Sequence, residues 1–491
     1  MNKPLRRVGL AMMVMMVLLL LNITYVQVIK GDSYRTNPLN QRVLLNEYSR
    51  QRGSIIDAAG NIIAGVKPTN DRLKFQRTYA NGPLYAPATG YFSTQYDSSG
   101  IERAENDVLN GSDGRLFVRR LSDLITGRDP RGGDVKLTLN PKVQQAAYQA
   151  MTSRGFTGAM VAIKPQTGEI LGMVSTPSFD PTPLASHAQG PQTKAWKKYT
   201  SDPANPMLNR AINDPQPPGS TFKLIDTSAA LGSGKFTPNS RLPAAGEITI
   251  PGTTTKFDNY DGEHCGSGGS TVTMTTALAL SCNTAFGTLT SEIGQQALLD
   301  QANKFGVGQP VKIPMKVTKS TIGDIPSKAA LYSTGIGQQS VQFTPLQSAM
   351  ITATIANGGM RMKPQLVESI LAPDLSTIAG FQPQQLNQAI SSNVASQIIA
   401  MMQQSEKDMH GSGEYAKYDI ASKTGTAEHG QTPKTTVPYG WYTAMAPASD
   451  PKIAVSVMIT DGSPYGLHTV GANVAGPIGH AVIQAYLSGG G

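Results

Sequence analysis

Pro217-Pro218-Gly219-Ser220-Thr221-Phe222-Lys223 lies near the middle of a 491-residue chain, and the reading of this stretch decides the rest. Two prolines and a glycine forbid regular structure. The segment that follows, Thr221 to Leu231, has helix-compatible spacing, with Gly232 and Gly234 to stop it. Pro and Gly before a serine are ordinary punctuation at a helix start, so the plain reading of Ser220 is an N-cap. Lys223 opens a second reading. Three residues along a helix, its side chain lies over the face that carries Ser220. A hydroxyl and an amine held together at the positive end of a helix dipole make an activated nucleophile.

Composition narrows the setting. The chain is long enough for two or three domains, at least one with a large core. Only 15% of residues are charged, and 50 glycines with 33 prolines promise many loops. The formal charge is +9, but the basic residues are scattered, in runs no longer than pairs such as Lys197-Lys198. A diffuse positive balance with no nucleic-acid motif suits an anionic membrane surface or polymer, not a nucleic acid. Near the N-terminus, Lys3, Arg6 and Arg7 precede an uncharged run from Val8 to Val28, long enough to cross a bilayer as one helix. No small-residue cleavage site follows Asn22, which argues for a signal anchor over a removed signal peptide. The leading positive charges place the N-terminus in the cytoplasm and the chain after Lys30 outside the plasma membrane. Out there, Cys265 and Cys282 are either a disulfide or two buried thiols; an even count in an oxidising compartment favours the bridge.

Residues 30–140 are polar and glycine-rich. Arg52 to Ala64 reads as two short strands around an Ala-Gly-Asn turn, and Gly100 to Gly111 as a short helix closed by glycine. No catalytic cluster is visible there, so the region is expected to be a spacer or docking module. Beyond it, Val135 to Leu139 alternates as a strand and Pro141 opens a helix through Met151. Ala159, Val161 and Ile163 alternate, Pro165-Gln166-Thr167-Gly168 turns, and Ile170 to Val174 returns. Residues 180–218 read as loop. Helices are expected over Thr275–Ile293, Ala297–Phe305 and Pro345–Ala356, and strands over Ile420–Thr426, Tyr439–Ala444 and Ile453–Ile459. A last helix covers Val474–Leu487. Strands at both ends with helices between predict an α+β domain: an antiparallel sheet flanked by helices, with a central helical subdomain. The expected division is 1–29 for the anchor, 30–140 for a small, mostly β module, and 141–491 for the main domain.

Two further stretches bear on Ser220. Ser281-Cys282-Asn283 lies in the helical centre, and Lys423-Thr424-Gly425-Thr426 on a strand. Each is weak alone: Ser-x-x-Lys arises by chance about twice in a chain this long, and Ser391-Ser392-Asn393 also matches Ser-x-Asn but reads as a helix cap. In this order, the three are the signature of active-site serine penicillin-binding proteins and related β-lactamases. The chain resembles the class B penicillin-binding proteins, the actinobacterial ones most. The likeness covers nearly the whole length, including Ser175 to Pro181, Asn209-Arg210-Ala211, Gly335-Ile336-Gly337-Gln338, Thr344 to Gln347 and Ala356 to Gly359.

The resemblance implies a peptidoglycan D,D-transpeptidase that cross-links stem peptides through an acyl-serine and is inhibited covalently by β-lactams. The residues fit that chemistry. Acyl transfer to an amine requires a nucleophile, Ser220, and with no histidine in a supporting motif the base is Lys223. An ordinary lysine is protonated at neutral pH, with a reference value of about 10.4, but burial and a second cation, Lys423, lower it. Ser281 is expected to relay the proton to the leaving nitrogen, and Asn283 to offer its amide to the substrate backbone. Lys423, with Thr424 and Thr426 beside it, suits the substrate's terminal carboxylate, and Gly425 leaves room for substrate along the strand. The oxyanion hole would be the backbone N–H groups of Ser220 and Thr426, by resemblance and by the need for two convergent donors. A Cys265–Cys282 bridge would tether Ser281 and Asn283 to the preceding loop. His264 and His429 are assigned no role, and no metal or cofactor is expected. The rival readings are a D,D-carboxypeptidase or β-lactamase-like hydrolase on the same fold, and a non-catalytic β-lactam sensor. About 110 residues between anchor and catalytic region are too few for a glycosyltransferase domain plus linker. The expected partners are therefore stem peptides, β-lactams and a separate membrane glycosyltransferase of the division or elongation machinery.

Overall fold

Apolar alternation at residues 159–174 produces the middle of the sheet that carries the site. The computed structural model describes residues 2–31, 34, 48–116, 131–410, 414–429, 435–463 and 465–489. Its first helix, α1 (Asn2–Thr24), continues through a wider turn, Tyr25–Ile29. Over Lys3–Ile29 it is long and apolar enough to cross a membrane. Strands β1 (Ile55–Ile56), β2 (Ile62–Pro68), β3 (Phe75–Tyr79) and β4 (Asp134–Leu137) follow, then helix α2 (Pro141–Thr152). Strands β5 (Thr157–Ile163) and β6 (Ile170–Thr176) form the expected hairpin. The helical centre contains α3 (Gln189–Thr200), α4 (Lys223–Gly232), α5 (Met274–Ala279), α6 (Asn283–Ile293) and α7 (Pro345–Ala356). After β7 (Val367–Leu371), β8 (Thr377–Gly380) and α8 (Ser392–His410) come β9 (Ala421–Ala427), β10 (Tyr439–Ala446) and β11 (Ile453–Asp461). Helix α9 (Gly476–Leu487) ends the described fold.

The main sheet runs β9-β10-β11-β5-β6, antiparallel throughout, so strands from the two ends of the domain meet at the β11–β5 pair. Alternation along β5 sorts its side chains between two cores. Met160 and Ala162 pack with Val143, Ala147 and Met151 of α2 and with Ile478, Val482 and Ile483 of α9. Ala159, Val161 and Ile163 face the other way, onto Leu346, Ala349 and Met350 of α7. Both faces are covered, which is why these strands read as nearly continuous apolar runs.

A second sheet runs β8-β7-β4-β1-β2-β3 and crosses the boundary expected at residue 140. Strands β7 and β8 come from the catalytic half of the chain, and Ile55, Ile63 and Val108 share a core with Val161 and Met350. The N-terminal module is therefore joined to the main domain by a sheet and a core, unlike a loose spacer. Inside it, Arg52 Nε and Arg77 Nε reach the two oxygens of Glu102 at 2.8 and 2.6 Å, all three side chains buried. This ion triad explains why the Arg52 and Gly100–Gly111 stretches go together. The latter is two turns of helix, broken at Glu105. Residues 35–47 and 117–130 of the module lie outside the described residues.

Two helical expectations change. Residues 180–218 were expected as loop, yet α3 forms there; only Gln192 and Ala195 of it are buried, too sparse an apolar pattern to read. The single helix expected over Thr275–Ile293 is two helices, α5 and α6, because Ser281 adopts φ 62° between them. A right-handed helix cannot continue through a left-handed residue.

Candidate active site

The nucleophile turn is held from two sides. Gly219 has φ 53°, and a Cβ there would stand 2.5 Å from the Thr426 carbonyl oxygen, so only glycine lets the turn lie against β9. On the other side Gly219 N donates to Gly337 O at 3.1 Å. A Cβ on Gly337, itself at φ 72°, would collide with the Gly219 carbonyl. The neighbouring Gln338 side chain brackets the backbone of Glu428, donating to its O and accepting from its N at 2.9 Å each. Sequence reasoning gave the Gly335–Gln338 stretch no role; isolated glycines and an amide have no spacing that marks a clamp.

Within this turn the N-cap reading of Ser220 gives way. Gly219–Phe222 is one 3-10 turn, and the α-helix begins only at Lys223. The Ser220 hydroxyl makes no capping bond and instead lies 3.0 Å from Lys223 Nζ.

Lys223 is fully buried, and its amine meets four oxygens of three residues. Its Nζ is 2.6 Å from Ser281 O, 2.9 Å from Asn283 Oδ1, 3.0 Å from Ser220 Oγ and 3.4 Å from Ser281 Oγ. The break between α5 and α6 is what brings the Ser281 carbonyl and the Asn283 side chain to the same point. Asn283 therefore turns its Oδ1 inward to the amine, while Nδ2 donates to Asp258 O at 3.3 Å. That differs from the expectation that its amide serves the substrate: the carbonyl end is already committed to Lys223. Cys282, between the two, is bonded to Cys265.

Lys423 is also fully buried; its Nζ donates to Ser281 Oγ at 2.9 Å and to Thr424 O at 2.8 Å. Burial pushes Lys423 down to about 7. Burial, and then the Lys423 cation, hold Lys223 well below the ordinary lysine value. The flank of Gly425 is filled by the nucleophile turn, where a Cβ would meet Pro218 O at 2.7 Å, so this glycine makes room for protein at that face. Thr424 is buried and Thr426 half-exposed. The Thr426 carbonyl lies against Gly219, one residue before Ser220. His429 stacks on Tyr439 and bonds Val437 O, outside this cluster.

A neutral amine has two N–H groups and one lone pair. In that form, Ser281 O and Asn283 Oδ1 would take the two N–H groups and leave the lone pair toward the Ser220 hydroxyl. Fold and geometry together place the chain among the serine acyltransferases that pair the serine with a lysine, the class that contains penicillin-binding proteins and serine β-lactamases.

Within that class, the chain belongs to the penicillin-binding protein transpeptidase family. Residues 158–484 match the penicillin binding protein transpeptidase domain, and residues 52–135 match the penicillin binding protein A dimerisation domain. It is 48% identical over 493 residues to the peptidoglycan D,D-transpeptidase PbpA of Mycobacterium tuberculosis, covering 100% of both chains. Identity to the peptidoglycan D,D-transpeptidase MrdA of Escherichia coli is 28% over 451 residues, covering 84% of this chain and 69% of that one. Among solved structures it is similar to penicillin-binding protein A from M. tuberculosis as a ceftriaxone acyl-enzyme complex, with TM-score 0.87 and 47% identity over 90% of this chain and 100% of that one. The penicillin G acyl-enzyme complex of the same protein gives TM-score 0.85 and 47% identity over 89% and 100%.

Proposed function

We propose that this chain is a peptidoglycan D,D-transpeptidase in which Ser220 is the acylated residue and Lys223 its base. The observation that carries the assignment is the 3.0 Å approach of a buried lysine to the Ser220 hydroxyl, with the lysine's other hydrogen bonds already committed. Ser220 Oγ attacks the carbonyl of the penultimate D-Ala of a donor stem peptide, and its proton passes to Lys223. The developing oxyanion faces the N–H groups of Ser220 and Thr426. Ser281 Oγ–H protonates the departing D-Ala nitrogen and is re-supplied from Lys223. In the second half-reaction, the amine of a neighbouring stem peptide attacks the ester, its proton returns along the same path, and Ser220 is released. Lys423 receives the terminal carboxylate of the donor, with the half-exposed Thr426 hydroxyl beside it; Thr424 contributes through the carbonyl that holds Lys423. β-Lactams acylate Ser220 by the same first step.

The apolar N-terminal helix makes a single-pass membrane anchor. Lys3, Arg6 and Arg7 before it favour a cytoplasmic N-terminus with the catalytic domain outside, and a Cys265–Cys282 disulfide suits that oxidising side. The substrate would be glycan strands from a separate membrane glycosyltransferase of the division or elongation machinery.

The test is incubation of the full-length protein with a D-Ala-D-Ala-ended stem peptide and an amine acceptor, with products read by mass spectrometry. Cross-linked dimer with release of free D-Ala supports the transpeptidase. Shortened, uncross-linked peptide alone would make the chain a carboxypeptidase.

A further inference from the structure

Asp226 sits one helical turn beyond Lys223 on α4, is fully buried, and has no part in the reaction described above. One of its oxygens, Oδ1, lies 2.6 Å from Thr290 Oγ1 on α6. The other, Oδ2, is buried with no hydrogen-bond partner among the described residues. Thr290 Oγ1 is also 2.8 Å from Phe286 O, the carbonyl one turn back on its own helix.

Proton counting decides the state of this group. The Thr290 hydroxyl has one hydrogen. If Asp226 were a carboxylate, Oδ1 and Phe286 O would both be acceptors competing for it, and one oxygen pair would stand in contact with no proton between. A carboxylate would also leave Oδ2 as an unsolvated, unpaired partial charge, a cost of several kcal/mol. With a proton on Oδ1 both bonds form in sequence: Asp226 Oδ1–H donates to Thr290 Oγ1, and Thr290 O–H donates to Phe286 O. Oδ2 is then a plain carbonyl oxygen. Burial pushes the Asp226 carboxyl well above the usual range, in the same direction.

We infer that Asp226 is a neutral carboxylic acid in the resting enzyme, a positioning residue that ties the helix bearing Lys223 to the helix bearing Asn283 without giving Lys223 a counter-ion. An ionised carboxylate one turn away would favour the ammonium form of Lys223 and remove its lone pair. The neutral acid keeps the two helices in register through Thr290 and leaves the lysine free to be neutral. Space for Thr290 depends on Gly335, where a Cβ would overlap the Thr290 hydroxyl. The protonation state stands on Asp226's own contacts; its consequence for the amine rests on the reading of Lys223 as the base.

Infrared difference spectra of the full-length protein in detergent, wild type minus Asp226→Asn at neutral pH, test this directly. The carbonyl stretch of a protonated carboxyl group is expected in the wild type and absent from the variant. Carboxylate bands in its place would overturn the inference, without touching covalent labelling at Ser220. Thr290→Val is expected to shift the acid band, since it removes the partner of the O–H group; an unmoved band would take the signal away from Asp226. In the acylation pH profile, Asp226→Asn is expected to leave the ascending limb where it is. Displacement of that limb to lower pH by about one unit or more would mean that a charged Asp226 had been holding Lys223 protonated, and would overturn the assignment.

Discussion

Lys423 Nζ donates to Ser281 Oγ at 2.9 Å, across 142 residues of sequence. Lys223 Nζ lies 3.4 Å from the same oxygen. Ser281 is thus the hydroxyl that both lysines reach, and a proton can move between the nucleophile side and the substrate side through it. The same closeness places two like charges in a buried site, which is why Lys423 contributes to depressing Lys223.

The pH dependence follows from these two groups. With Lys223 as the proposed base, only its neutral form has a lone pair, so acylation is expected to rise with pH as the ammonium form is lost. The proposed carboxylate role of Lys423 needs its cation, and burial lowers its pKa to about 7 in the free protein. The second-order rate of acylation by a carboxylate-bearing β-lactam is therefore expected to be bell-shaped, falling on the alkaline side near that value. An ester analogue without the carboxylate is expected to lose the descending limb. A descending limb of equal size with the ester would remove the carboxylate role from Lys423.

Lys223→Arg separates charge from basicity. A guanidinium stays protonated and offers no lone pair to Ser220. Acylation is expected to fall by about 100-fold or more, with the far-ultraviolet circular dichroism unchanged. Acylation at near the wild-type rate would show that the proton goes elsewhere.

The Cys265–Cys282 bridge ends between Ser281 and Asn283, so its loss should be felt in both stability and rate. Replacing both cysteines by serine is expected to cost up to about 3 kcal/mol on the chain-entropy scale, read from the thermal midpoint. Acylation is expected to slow as well, because the left-handed Ser281 turn is no longer pinned at Cys282. Alkylation followed by mass spectrometry of the unreduced wild type is expected to find neither thiol free.

Gly337→Ala tests the clamp on the nucleophile turn. The added methyl would meet the Gly219 carbonyl, at a backbone φ of 72° that disfavours a side chain in any case. Slower acylation is expected, together with a destabilisation of about 1–3 kcal/mol by thermal unfolding. Wild-type values for both would mean that the turn has another support.

Much of the sheet is legible in sequence because both faces of β5, β6, β10 and β11 are covered, and burial leaves a continuous apolar imprint. Helix α4 is legible from its punctuation, although its first turn is 3-10 and Ser220 is not its cap. The break at Ser281 is not legible: nothing in Thr275–Ile293 marks a non-glycine residue that turns left-handed between two helices. Ser220, Lys223, Ser281, Asn283 and Lys423 come from three motifs in order, and the structure brings all five together. The inward turn of Asn283 is not readable from Ser-x-Asn, since it depends on where Lys223 ends. Nor are Gln338, Asp226 or Thr290, whose partners lie on other elements and whose spacing repeats no pattern.

Fluorescent penicillin labelling of the full-length wild type and of Ser220→Ala addresses the nucleophile most directly. The wild type is expected to carry one stable covalent label on the Ser220 peptide, and the Ser220→Ala variant none. Persistent covalent labelling of Ser220→Ala would contradict the assignment of Ser220 as the acylated residue.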